Sequence, residues 1–450
     1  MNIPVRPART TAEDAIAATL QARLQARLAV AAGQGGLDGR LGELSADALE
    51  AFRAHGLPNR RVEEWKYTDL RAAVRAFPPL ATAPTAADEA EATFKALDVP
   101  HAARFLFVSG MLARGASDFA GLPAGVSARP LDAATAANDP LLDRIGSLPP
   151  DRYDGALALN TGFLGEGLVV KVEAGTKAAK PVHLAHVFPA GEALAGFTRT
   201  VVVVGDGAEL TLVESFTGRE GVAYQANHAM ELVVGDGATV NLVRLQEEGA
   251  AALHLGTLML ELGRTAKLNV FSLVQGAALS RHSVYGRFQG IGSHLGVRGA
   301  TLLKGRQHAD TTMFIDHAVA GCESRELFKT VLSDEAHGVF QGKIVVRRDA
   351  QKTDGRMMSQ SLLLSDGAEM DNKPELEIFA DDVQCGHGAT VGTLDDKMLF
   401  YLRSRGLPLK EAERLLIQAF VGEAVEFVED EALREVLVAR MVAWLEKRAA

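Results

Sequence analysis

The middle of the chain alternates short apolar strands with glycine turns. VVVVGDGAELTLVES from Val201, ELVVGDGATVNLVRL from Glu231 and MLELGRTAKLNVFSL from Met259 share one pattern: an apolar strand, a glycine-containing turn, then a strand alternating polar and apolar positions. The turn glycines Gly205, Gly235 and Gly263 recur about every 28 residues, and Gly290 in FQGIGSHLGV continues the series. Two β segments per period predict coils stacked on one another at the ~4.8 Å strand spacing, a β-solenoid or parallel β-helix. An antiparallel sandwich is the competing fold, because GDG turns also close hairpins. The solenoid is preferred because one register of apolar positions runs through four copies. Weaker copies in LSDEAHGVFQGKIVV from Leu332 and LLLSDGAEM from Leu362 carry the β region from about Ala156 to Ala380.

The flanks read as helical. Residues 11–75 carry helix-period apolar positions, and FPPLATAPTAADEA from Phe77 is a Pro/Ala-rich linker, near 77–90. Pro408 starts a helix with Ala412, Leu415, Leu416, Ala419 and Phe420 on one face, and a last helix places Leu433, Val436, Leu437, Met441, Trp444 and Leu445 likewise. These helices would cap the solenoid ends against edge pairing or serve as docking surfaces. The expected architecture is mainly β. A mainly helical N-terminal domain spans 1–150, the β-helix core 151–390, and a C-terminal helical domain 391–450.

Composition narrows the function classes. With 450 residues, 47% hydrophobic and 23% charged, the chain is an ordinary globular protein. Its net charge of -10 is spread out and no basic cluster suits a phosphate backbone, so nucleic acid is excluded as a partner. The longest uncharged run noted, LNVFSLVQGAALS, falls short of the ~18 apolar residues of a membrane span. Glu13 and Asp14 interrupt an N-terminus that otherwise mimics a transit peptide, which points to the cytoplasm. No P-loop, H-E-x-x-H or G-x-S-x-G string occurs.

Candidate chemistry concentrates in DDVQCGHGATVG, Asp381 to Gly392. In an extended segment Cys385 and His387 project to one side, while Gly386 and Gly388 leave room for another backbone. Both are ligands for soft and borderline metals, yet structural zinc and most iron-sulfur clusters take four. Asp381 and Asp382 read as a solvated strand end or a cap, with a hard-cation site as the alternative. Cys322 reads as a small buried apolar group, with a reactive thiol as the alternative. His308, Asp310, Asp316 and His317 in HADTTMFIDH read as a hydrogen-bonded ladder along the coils, with an acid-base or metal cluster as the alternative.

PELEIFADDVQCGHGATVGTLDDKMLFYLRSRGL (Pro374 to Leu407), RVEEWKYTDL (Arg61 to Leu70), GVFQGKIVVRRDAQKTDG and SLLLSDGAEMDNKPELEI together resemble the SufB/SufD family, scaffold subunits of the SUF iron-sulfur cluster assembly machinery. Glycine after His387, where SufB-like sequences carry Glu, and serine in SQSLLL (Ser359 to Leu364), where they carry cysteine, place the resemblance on the SufD side. It implies a right-handed parallel β-helix that pairs with SufB and docks the SufC ATPase through about 394–428, with Phe400, Tyr401 and Arg405 as candidate contacts. It also implies a non-catalytic scaffold whose His387, and Cys385 where it ligates, hold a transient iron-sulfur cluster at the subunit interface, with no tightly bound cofactor in the isolated chain. The ligands and the P-loop that this chain lacks then belong to its partners. The alternatives are a homodimer of the isolated chain, a partner-binding scaffold without metal, and a β-helix enzyme acting on polysaccharide.

Overall fold

The computed structural model describes residues 8–31, 37–84, 99–148, 150 and 152–449. Helices α1 (Thr11–Ala31), α2 (Leu37–His55) and the short α3 (Leu70–Ala73) open the chain, followed by strands β1 (Ala103–Val108), β2 (Met111–Leu112) and β3 (Val126–Pro130). Helices α4 (Leu131–Ala136) and α5 (Gly155–Gly162) precede β4 (Gly167–Val172), β5 (Val182–Phe188), β6 (Ala195–Val204), β7 (Glu209–Gly218), β8 (Gln225–Val234), β9 (Thr239–Glu247), β10 (Leu253–Leu262) and β11 (Lys267–Val274). Then come β12 (Leu279–Phe288), β13 (His294–Leu303), β14 (His308–His317), β15 (Glu323–Leu332), β16 (His337–Val346), β17 (Asp354–Leu363), β18 (Glu369–Ile378) and β19 (Gln384–Gly392). Helices α6 (Asp396–Ser404), α7 (Leu409–Val425) and α8 (Glu431–Ala449) close it.

From β4 onward the even strands build one sheet and the odd strands the other, each strand pairing in parallel with the strand two places on; β3 completes the first as a nine-stranded sheet, and β1 and β2 the second as a ten-stranded sheet. This is the stacked solenoid, and the sandwich is excluded. The GDG turns are corners between the two sheets. Their first glycine is required because a Cβ on Gly205 would lie 2.6 Å from the Ala174 nitrogen of the coil below. Their third residue is left-handed, with φ of 64° at Gly207 and 66° at Gly237. The aspartate between them stacks: the Asp236 N–H donates to Asp206 Oδ1 at 2.9 Å, and the Arg264 N–H to Asp236 Oδ1 at 2.7 Å. Between the sheets lies the core, with Val202, Leu212, Leu232, Leu242, Leu260, Leu268, Leu295, Ile315 and Ile344 buried in register along the stack.

The two outer faces are covered differently. Against the nine-stranded sheet lie α1, α2 and α5, through Ile16, Leu20, Phe52, Leu159 and Phe163. A capping box starts α1, since the Thr10 N–H donates to Glu13 Oε2 and the Glu13 N–H to Thr10 Oγ1. The WKYT string docks there too: Arg281 on β12 lies 3.8 Å over the Trp65 ring and pairs with Asp310, which also accepts from Thr68. Within the first 150 residues β1 and β3 also prolong the two sheets. Of the Pro/Ala-rich linker, Phe77 stacks on Phe163 at 5.4 Å and Leu80 bridges Ala195, while 85–90 lie outside the described residues.

Against the ten-stranded sheet lie α7 and α8, through Ile417, Val421, Val425, Leu437, Met441 and Trp444 on Val243, Phe271, Ala300 and Val331. Two expectations change here. The helices cover a flank of the solenoid and leave its C-terminal end open, because their apolar stripe matches the row on the sheet face. The buried face of α7 is Ala412, Ile417, Val421, Ala424 and Val425, whereas Leu415 and Ala419 are exposed.

Candidate functional site

The open end consists of β18 and β19, the last strands of their sheets, with no strand on their outer sides among the described residues. They differ as edges. Strand β18 carries Glu369, Asp371, Lys373, Glu375 and Glu377, and Pro374, which has no N–H to donate. Strand β19 has no Asp, Glu, Lys or Arg and three glycines. Its edge is the one suited to receiving another backbone.

Cys385 pairs with Gly355 and His387 with Met357, so both belong to inward-facing columns of the ten-stranded sheet. His387 is exposed on the last coil. Cys385 is half-buried, packed against the core, and burial, with Asp354 and Glu326 nearby, pushes its thiol up. Gly386 has open space where a Cβ would be, in keeping with the room expected at that position. Gly388 does not, since a Cβ there would meet Met358 Cε at 2.7 Å.

Behind the pair lies a residue that the sequence did not single out. Glu326 is two strands below His387 in the same column, separated from it by Met357. It is 3% exposed, both carboxylate oxygens lack a hydrogen-bond partner, and burial pushes its carboxyl up to about 8. Ser324, in the adjoining column, and Cys385 face the same gap: a Cβ on Gly355 would lie 3.5 Å from Ser324 Oγ and 3.7 Å from Cys385 Sγ. A carboxylate at a position that alternation places on the same face as Phe328, in ESRELFKTVL, was the available signal.

The other candidates form ladders or caps. Asp310 accepts from Arg281, Thr68 and Thr312, and Asp316 accepts from Arg287 and Arg347. His308 contacts Thr68 Oγ1 at 2.9 Å and His317 contacts Ser324 Oγ at 3.1 Å, with burial pushing both imidazoles down to about 4. His308 and His317 project to opposite faces of β14, so the string does not converge on one ion. Cys322 is buried and donates to the Gly290 carbonyl. Asp382 pairs with Lys352 at a coil corner. A second buried cluster, His186, Glu214 and His228, lies among the N-terminal coils.

On α6 no residue is buried, and Met398, Phe400 and Tyr401 are exposed, Phe400 to 75%. The Arg405 guanidinium lies 5.2 Å from the Tyr401 ring. A cleft of about 600 Å³ runs between Trp65, Arg152 and Tyr153 and the outer face of the nine-stranded sheet at Lys343, Arg347 and Glu377.

Comparison with known proteins agrees with this architecture. The family described as SUF system FeS cluster assembly, SufBD core domain matches residues 187–420, and the SufBD protein N-terminal region matches 39–184. The chain belongs to the SufBD family of iron-sulfur cluster assembly proteins. It is 32% identical to the iron-sulfur cluster assembly protein SufD of Escherichia coli, over 87% of this chain and 90% of that one. A SufBD family protein of Synechocystis is 31% identical over 85% of both chains. The chloroplastic protein ABCI7 of Arabidopsis thaliana is 29% identical over 66% of this chain and 65% of its own. The SufBD core match begins within β5 and ends within α7, so it takes in both the solenoid and the open end. No helix among the described residues is long and apolar enough to cross a membrane.

Proposed function

We propose that this SufBD protein is a non-catalytic cytoplasmic scaffold that pairs with SufB through its open end. There His387 supplies one ligand to a nascent iron-sulfur cluster that is cargo, shared between the two chains and passed on. The observation that carries the reading is an exposed imidazole on a terminal strand without charged residues, whose outer edge pairs with no strand among the described residues, in the segment matching the family. Phe379, Ile378 and Val391 are exposed at the same end, Phe379 to 60%, and supply apolar contact area beside the ladder hydrogen bonds. Cys385 joins as a ligand once the thiol is deprotonated, a step that its partial burial opposes. SufC docks on about 394–428, where the unburied face of α6 offers Phe400 and Tyr401 with Arg405 beside them.

A site divided between chains holds its cargo only while the chains are together, so movement of the subunits releases it. Anaerobic reconstitution of the chain with SufB and SufC, followed by visible absorption and iron and sulfide analysis, tests this with His387→Ala. A chromophore that needs the partners and weakens in the variant is expected. A chromophore indifferent to the substitution leaves a mechanical scaffold, the reading favoured by the inward packing of Cys385.

A further inference from the structure

Toward the N-terminal end of the solenoid, the apolar interior gives way to ionisable groups. His186 on β5, Glu214 on β7 and His228 on β8 each offer a donor atom within 4.8 Å of the others, and all three are buried. The cluster is about 29 Å from β19, six strand spacings of ~4.8 Å below it. It is therefore distinct from the Cys385 and His387 pair.

Three features distinguish it from an ordinary buried polar network. First, His186 Nε2 lacks a hydrogen-bond partner, although buried polar atoms are nearly always satisfied. His228 Nε2 and Glu214 Oε1 face only each other, at 2.6 Å, and both lie within reach of His186 Nε2. Second, the remaining atoms of two of these groups are held in place. Thr198 Oγ1 contacts His228 Nδ1 at 3.1 Å, and Arg244 Nε donates to Glu214 Oε2 at 2.8 Å. Outer partners orient metal ligands in this way, leaving one atom of each free to face the ion. Third, the His186 ring is clamped between Phe107 and Phe216, each with centroids 4.7 Å away, so its Nε2 is fixed in direction.

We infer that His186, Glu214 and His228 form a binding site for a divalent transition-metal ion of the zinc or ferrous class. Two imidazoles and one carboxylate are the donor set such ions prefer. Because every ligand is buried, the ion enters as the chain folds, and any proton on His228 Nε2 leaves on binding.

The test uses the full chain, unfolded and refolded anaerobically with Co2+, Zn2+ or Fe2+ as the probe. The wild type should retain a stoichiometric amount of metal through gel filtration. Its Co2+ form should show ligand-field bands without thiolate charge transfer, which separates this site from Cys385. Zn2+ included in the refolding mixture should displace Co2+ from the site, while Mg2+ should not. His186→Phe preserves the ring stack and should abolish retention, as should Glu214→Gln. Thr198→Val, which keeps the side-chain shape, should weaken binding by about 10- to 100-fold. Circular dichroism confirms that each variant is folded, and Thr198→Val decides the matter if the other two are not. Failure of the refolded wild type to retain metal, equal retention by folded His186→Phe, or displacement by Mg2+ would each overturn the assignment.

Discussion

Replacing Glu326 by glutamine should make the protein more stable in alkali and remove a pH dependence that the wild type carries. The carboxyl is fully buried, and burial lifts it from an ordinary 4.5 to about 8. Below about pH 4.5 the folded and unfolded states both keep the proton and the group is silent. Between about 4.5 and 8 the unfolded chain has lost a proton that the folded chain retains, so stability falls as pH rises. Above about 8 both are ionised and the penalty is complete. Each pH unit in the window costs about 1.4 kcal/mol, so the whole span is on the order of 5 kcal/mol. Glutamine keeps the shape and cannot ionise, although its amide retains a desolvation cost of about 1–3 kcal/mol that does not vary with pH. Urea unfolding followed by far-ultraviolet circular dichroism, at about pH 5, 6.5 and 8, should show Glu326→Gln gaining on the wild type by several kcal/mol across the series. Parallel pH profiles for the two proteins would refute the reasoning, because they would mean that Glu326 is solvated or partnered in the folded state.

Asp310→Ala should destabilise by about 3–5 kcal/mol, read from urea unfolding by tryptophan fluorescence, because it leaves Arg281 buried without its counter-charge and removes the acceptor for Thr68. Gly235→Ala should cost about 1–3 kcal/mol, read as a lowered Tm, since the new Cβ would meet Asp206 Oδ1 at 2.6 Å and the Asp206 nitrogen at 2.8 Å. Phe400→Ser should leave the stability of the isolated chain within about 0.5 kcal/mol while reducing capture of SufC in a pull-down, because the ring touches mainly solvent.

The solenoid was legible because its corners are chemically strict. Gly205, Gly235 and Gly263 repeat where a Cβ would strike the coil below, and that collision reaches the sequence as a period. That Cys385 and His387 share a face of the strand was legible from local alternation alone. The buried face of α7 was misjudged because the helix carries two overlapping apolar stripes, and the choice between them belongs to Val243, Phe271 and Ala300, residues over a hundred positions earlier in the chain. Glu326 and the His186, Glu214 and His228 group were missed for a related reason. Their meaning depends on which residues stack above and across from them, and one strand read alone does not contain the register between coils.

The stacked corners also restrict how this architecture can change over evolutionary time. Inserting a single residue within a strand turns every later side chain of that strand to the opposite face, exchanging core for surface. Inserting a whole coil preserves the inward columns and lengthens the rod by one strand spacing, about 4.8 Å. The distance from the N-terminal coils to the open end is thus adjustable only in discrete steps, so a rod of this kind keeps its reach fixed while its surface sequence drifts.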